Sequence, residues 1–217
     1  RYALLLDLLT GVAKSYPSEM GILSVSQGLQ VLGGYGFCDE FPLEQYYRDA
    51  RIHPIHEGTT GIQGMDLLGR KVMMKEGKAF NLYVEEVRKT TSEAMKSHPL
   101  RSPAEALEKV LAGLEDVTHH LKGLAAKGDP ERFLADATLY LECFGIVAIA
   151  WQWLKQGIKA VEGLQGASSE EAQQFYRSKL YTLRFFFGYE LPKTDGLMRS
   201  IVNADGVTVE MDSACFA

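Results

Sequence analysis

Residues 102–124 read SPAEALEKVLAGLEDVTHHLKGL. Leu107, Val110, Leu111, Leu114, Val117, Leu121 and Leu124 recur every three or four residues and fall on one face of a helix. The start is marked by Ser102 as a cap, Pro103 in the first turn and Glu105 three residues on as the capping-box partner. Gly128-Asp129-Pro130 closes this helix and caps the next.

The same period continues in both directions, so the sequence predicts an all-α chain. Downstream, residues 131–162 form an apolar run around CFGIVAIAW, apolar on most sides, which predicts the buried helix of a bundle. Gly163 to Ala167 break it, and Ser169 with Glu170 and Glu171 starts a last helix to about Phe187. Residues 203–212 suggest a hairpin around Asp205-Gly206. The aromatic run Arg184-Phe185-Phe186-Phe187 reads as packing. Upstream, SHPLRSP reads as a linker and His98-Pro99 as a helix stop. From Gly58 to Ser97 there is no proline, and Ile62, Met65, Leu68, Val72, Ala79, Tyr83 and Val87 keep the helical spacing. That is one long helix, or two with a break near Gly77. At the start, Leu4, Leu5, Leu8, Leu9 and Val12 line one helix face. Pro17 suits the beginning of a second helix, which Met20, Leu23, Val25 and Leu29 carry to Leu32, where Gly33-Gly34 stop it. Two helical units follow from this reading, residues 1–98 and 102–217.

Arg1 opens what reads as the middle of a helix, with no capping residue, so the chain is expected to continue a larger protein. With 217 residues, 46% hydrophobic and 24% charged, the composition is that of a globular protein, and a net charge of −5 gives no hint of a nucleic-acid partner. Phe144–Trp151, the longest apolar stretch, is too short to cross a bilayer. Cys38, Cys143 and Cys215 form no CxxC pair, which argues for a reducing, cytoplasmic setting and against a zinc site. His53 and His56 lack an evident third metal ligand.

The chemistry concentrates between Gln30 and Arg70. Gln30 leads into Gly33-Gly34-Tyr35-Gly36, where glycines let backbone approach a ligand or simply end a helix and turn. No strand precedes them, so this is not a dinucleotide fingerprint. Glu57-Gly58-Thr59-Thr60 places a carboxylate at the mouth of a helix, either as a charge favoured by the helix dipole or as a general base with Gly58 leaving room for substrate.

The strings QVLGGYGF, YYRDARI and IHEGTTGIQ, in this order and spacing, resemble the C-terminal signature of acyl-CoA dehydrogenases. Residues 1–97 are similar to the second half of that family's C-terminal four-helix domain. Residues 102–217 resemble the extra helical domain of a longer subgroup that includes 3-methylmercaptopropionyl-CoA dehydrogenase-like enzymes. The resemblance implies FAD as cofactor, an acyl-CoA substrate, electron-transfer flavoprotein as electron acceptor and a homo-oligomer. It implies that Glu57 removes the α-proton while the β-hydrogen leaves as hydride to the flavin, and that the Glu57 amide helps hold the thioester oxygen. Thr59 would contact FAD, Gln30, Gly33 and Gly34 would reach the adenosine-diphosphate end of a flavin on a neighbouring subunit, and Gly58 would lie against the thioester. Arg48 and Asp49 read as an ion pair or helix-end contact bracing the loop.

The match is not complete. Gly61 stands where many members carry a flavin-contacting glutamine, and Gln63 is expected to face elsewhere. An acyl-CoA oxidase would carry the same signature, and the unit 102–217 alone is equally readable as an assembly module without chemistry. The upstream bundle partners being absent, the chain by itself is expected to be inactive and to expose an apolar face.

Overall fold

The computed structural model describes residues 1–216, and residue 217, the last of the expected second unit, lies outside them. Ten helices follow in order: α1 Tyr2–Leu32, α2 Leu43–Ala50, α3 Thr60–Asp66, α4 Met74–Ala94, α5 Arg101–Ala126, α6 Pro130–Ala135, α7 Ala137–Gly166, α8 Glu170–Phe185, α9 Lys193–Val202 and α10 Val207–Glu210. Among the described residues there is no strand, so the all-α reading holds.

Helix α7 is the axis of the packing. It lies against α1, α3, α4, α5, α8 and α9. Tyr140, Cys143, Phe144, Val147, Ala150 and Leu154 are essentially without exposure. The helix is long and apolar enough to pass for a membrane span, yet 67% of its most apolar window is buried inside the bundle. Tyr83 of α4 stacks on Phe144 at 4.8 Å between ring centroids and meets the edge of Trp151 at 5.7 Å. Polar ends inside this cluster mostly find partners. Trp151 Nε1 donates to Thr90 Oγ1 at 2.8 Å, and the Tyr140 hydroxyl pairs with Thr118 Oγ1 at 2.8 Å. The Cys143 thiol is pushed up to about 12 by burial, with Glu142 and Asp195 adding to it, so it behaves as a small core residue. On the surface Arg88 bridges from α4 to Glu108 and Glu115 of α5.

Several expectations are corrected. Residues 2–32 form one helix through Pro17. The proline has no N–H to donate to the Ala13 carbonyl, and both residues are exposed, so the lost bond lies on the solvent side of the helix and not in the core. The 58–97 run takes the second of its two expected forms, two helices with a break that includes Gly77. A wide turn at Leu67–Lys71 is followed by left-handed backbone at Lys75, Glu76 and Gly77 (φ 49°, 59° and 84°), which re-aims α4. The segment expected to be a linker is helical: His98–Leu100 makes a tight turn running into α5, Leu100 is 1% exposed, and the helix starts at Arg101 without a Ser102 cap. The buried run breaks once, at Asp136, separating α6 from α7. Asp129 and Ser169 do cap α6 and α8, accepting from Arg132 N and Ala172 N. Of the three phenylalanines at 185–187, Phe186 is buried and Phe185 is exposed. The expected hairpin is absent. Gly206 turns left-handed (φ 93°) into α10, whose Glu210 pairs with Arg132, so the tail folds onto α6 as helix.

Gly64 of α3 is the closest approach to α7: a Cβ there would lie 2.6 Å from the Ala137 carbonyl oxygen. Gly123, on the exposed side of α5, has nothing within 4 Å. Gly64→Ala is therefore expected to lower stability in urea unfolding by about 1–3 kcal/mol through overpacking. Gly123→Ala should raise it by about 0.5–1 kcal/mol through helix propensity.

Candidate active site

Helix α1 ends where Gly33 adopts φ 59° and its N–H closes on the Gln30 carbonyl. The turn Gly33–Phe37 then folds back over α1. A Cβ on Gly36 would lie 2.4 Å from the Leu29 carbonyl oxygen, so only glycine permits this approach. Gln30, Gly33 and Gly34 all lie on the exposed rim, with open space beside both glycines. Helix α2 carries Arg48 and Asp49, both exposed and both at its C-terminal end; among the described residues they form no ion pair, and the contact there is the Asp49 carbonyl accepting from the N–H of Arg51 and Ile52.

A series of turns from Arg51 to Gly58 leads to α3, with Pro54 buried beneath it. His56 Nδ1 lies 2.8 Å from the Ile52 carbonyl, and its ring sits 5.6 Å from that of His53. Among the described residues no group of three or more His, Cys, Asp or Glu side chains is placed to hold a metal.

Glu57 and Gly58 are both left-handed, with φ 55° and 91°. This is uncommon for a glutamate, which has a Cβ to accommodate. Thr59 returns to extended backbone and caps α3, its Oγ1 accepting from Ile62 N at 3.4 Å. Thr60 N donates to the Pro54 carbonyl at 3.2 Å. Among the described residues the N–H groups of Glu57, Gly58 and Thr59 have no acceptor. The Glu57 side chain is exposed beside them. A carboxylate next to free backbone donors can take up a proton while the donors hold a developing oxyanion.

The supports of this loop come from residues the sequence did not single out. Lys14 Nζ donates to the Gly58 carbonyl at 2.6 Å. Gln63 Nε2 donates to the Glu57 carbonyl at 3.1 Å, so Gln63 turns back to the loop, contrary to expectation. Thr60 Oγ1 donates to the Glu19 carboxylate at 2.5 Å. Gly11 makes room: a Cβ there would lie 3.0 Å from Gln63 Oε1. Lys71, 4% exposed, stands between Asp7 (3.8 Å) and Asp66 (3.5 Å) and ties the far end of α3 to α1. The Arg70 hydrogen bond, joined by Lys71, holds the Asp66 carboxyl below the usual carboxylate range. Glu19 and Thr60 also line a cleft of about 290 Å3 between α1 and α7, with Ser15, Tyr16 and Glu142. The Tyr16 phenol there is pushed up to about 12 by burial and by Glu190 and Glu142. Glu57 is not among its walls.

Both halves of this helical assembly match known families. Residues 83–212 match the family described as acetyl-CoA dehydrogenase C-terminal like, and residues 7–84 match the acyl-CoA dehydrogenase C-terminal domain. The chain belongs to the acyl-CoA dehydrogenase family and corresponds to its C-terminal portion. Among its relatives is the broad-specificity linear acyl-CoA dehydrogenase of Mycobacterium tuberculosis, 29% identical over 97% of this chain and 35% of the relative. The 3-methylmercaptopropionyl-CoA dehydrogenase of Ruegeria pomeroyi is 34% identical over 83% of this chain and 30% of the relative. A butyryl-CoA dehydrogenase of Syntrophomonas wolfei is 26% identical over 94% and 33%. The chain thus spans about a third of the length of the curated relatives it matches.

The loop's backbone makes opposite predictions for neighbouring residues. A Cβ on Gly58 would lie 2.5 Å from Gln63 Nε2, and its φ disfavours any side chain. Gly58→Ala is expected to destabilise the chain by about 1–3 kcal/mol. Glu57→Gly relieves a left-handed glutamate and should leave stability unchanged or raise it by up to ~1 kcal/mol. Urea unfolding of the two variants beside the wild type checks both signs.

Proposed function

We propose that the parent protein catalyses α,β-dehydrogenation of an acyl-CoA thioester with FAD, and that Glu57 is the base. The observation that carries this reading is the exposed Glu57 carboxylate on a left-handed turn, followed by free N–H groups, inside the IHEGTTGIQ string. The family and the names of its relatives support the reaction class.

The residues present fit a flavin. Thr59 Oγ1 accepts from Ile62 N, which leaves its O–H free to donate. The Gln30–Gly34 rim is exposed, with no side chain on its glycines to block a pyrophosphate. Gly61 offers no side-chain contact where the family pattern has glutamine. FAD, when bound, supplies the acceptor for the hydride that leaves the β-carbon. Glu57 takes the α-proton, the carbon–carbon double bond forms, and the product is a 2-enoyl-CoA. The Glu57 amide stabilises negative charge on the thioester oxygen, and Gly58 leaves space beside it. Electrons would pass on to an electron-transfer flavoprotein, and a homo-oligomer would bring a neighbour's flavin to the rim. Ile52, Ile55, Ile62 and Met65, exposed around the loop, are the face that substrate and the rest of the protein would cover.

In the full-length protein, acyl-CoAs are expected to bleach the flavin spectrum under anaerobic conditions. Glu57→Gln should bind flavin and fail to bleach. Equal bleaching by both proteins would remove Glu57 as base, and absence of flavin would remove the dehydrogenase reading.

A further inference from the structure

We infer that Lys14 and Gln63 are positioning residues for the Glu57 loop: they hold two consecutive carbonyls and so aim the amides and the carboxylate. The inference rests on the dehydrogenase reading for its kinetic consequence, but its structural part stands without it.

In a planar trans peptide, C=O and N–H point in opposite directions. Gln63 Nε2 fixes the Glu57 carbonyl, which turns the Gly58 N–H the other way. Lys14 Nζ fixes the Gly58 carbonyl, which does the same for the Thr59 N–H. Two adjacent planes are thereby set, and with them the left-handed conformation of Gly58 between them, while Glu57, also left-handed, is held on its C-terminal side. A glutamate does not hold that conformation on its own preference, so something must over-determine it. The two donors come from opposite sides in sequence, Lys14 from α1 and Gln63 from α3, and both are half-buried. Gln63 is itself seated by shape, because Gly11 leaves the space its amide fills. The Thr60–Glu19 bond pins the next residue to the same helix α1. Lys14 is charged, and its bond to Gly58 is short at 2.6 Å, as charge-assisted bonds are.

The test uses the full-length protein with Lys14→Met, Lys14→Arg and Gln63→Leu, and Lys159→Met as a surface control, since Lys159 is exposed on α7 and pairs with Glu162 of the same helix. Lys14→Met and Gln63→Leu should each lower kcat about 10–100-fold with KM and flavin content little changed. Lys14→Arg, which can still donate to the carbonyl, should recover most of the loss. Amide hydrogen exchange at Thr60, whose N–H is bonded to the Pro54 carbonyl at the end of the loop, should speed up in Lys14→Met and return towards wild type in Lys14→Arg. Unchanged exchange in Lys14→Met overturns the inference, as does loss of flavin and fold together with no rescue by arginine. If wild type shows no acyl-CoA-dependent flavin reduction, the dehydrogenase reading fails while the exchange result still decides whether Lys14 holds the loop.

Discussion

Between Tyr140 and Leu154, helix α7 is buried on most of its sides, with Glu142 and Gln152 left exposed, and every other long helix packs against it. Burial of such a face is the dominant favourable term in folding, and it is non-directional. Direction comes from the close approaches. Gly64 against Ala137 sets α3, Gly145 against the Tyr16 ring sets α1, and Gly157 against Leu183 and Leu100 sets α8 and the start of α5. The Trp151–Thr90 and Tyr140–Thr118 bonds then fix the rotation of α7 relative to α4 and α5. These contacts reach the site through α1 and α3 alone. Both lie on α7, and both send a side chain to the Glu57 loop.

This arrangement separates rigidity from exposure. The loop is exposed, yet its two carbonyls are tied to helices packed on the core. Strain at Glu57 and Gly58 is sustained by packing several residues away. The same logic accounts for Lys71, buried between two aspartates at the other end of α3. Removing either anchor would leave α3 free to shift along α7, and the Glu57 loop would shift with it.

The helices were legible because their apolar spacing is strong, and Asp129, Ser169 and the stop at Gly33 were legible because capping is local chemistry. What failed was tertiary. Pro17 looked like a boundary because local rules cannot see that its orphaned carbonyl faces solvent. Leu100 looked like linker because its proline-flanked neighbours conceal that the core needs it. Asp205-Gly206 looked like a hairpin turn, while the Arg132–Glu210 pair holds the tail as helix. At the site, Glu57, Gly58 and Thr59 stood out from the family motif and from their place at a helix mouth. Lys14 did not, because its contact spans 44 residues and no local pattern announces it. Neither did Gln63, which helical spacing aims elsewhere and whose bond to the Glu57 carbonyl is visible only in the fold.

The central claim, that the Glu57 carboxylate takes the α-proton, is tested most directly by exchange at that carbon. The full-length protein would be incubated with a saturated acyl-CoA in D2O, without electron acceptor, and deuterium at the α-position followed by mass spectrometry. The account predicts steady α-incorporation by the wild type and none by Glu57→Gln with its flavin spectrum intact. Incorporation at the wild-type rate in Glu57→Gln would contradict it and place the base elsewhere.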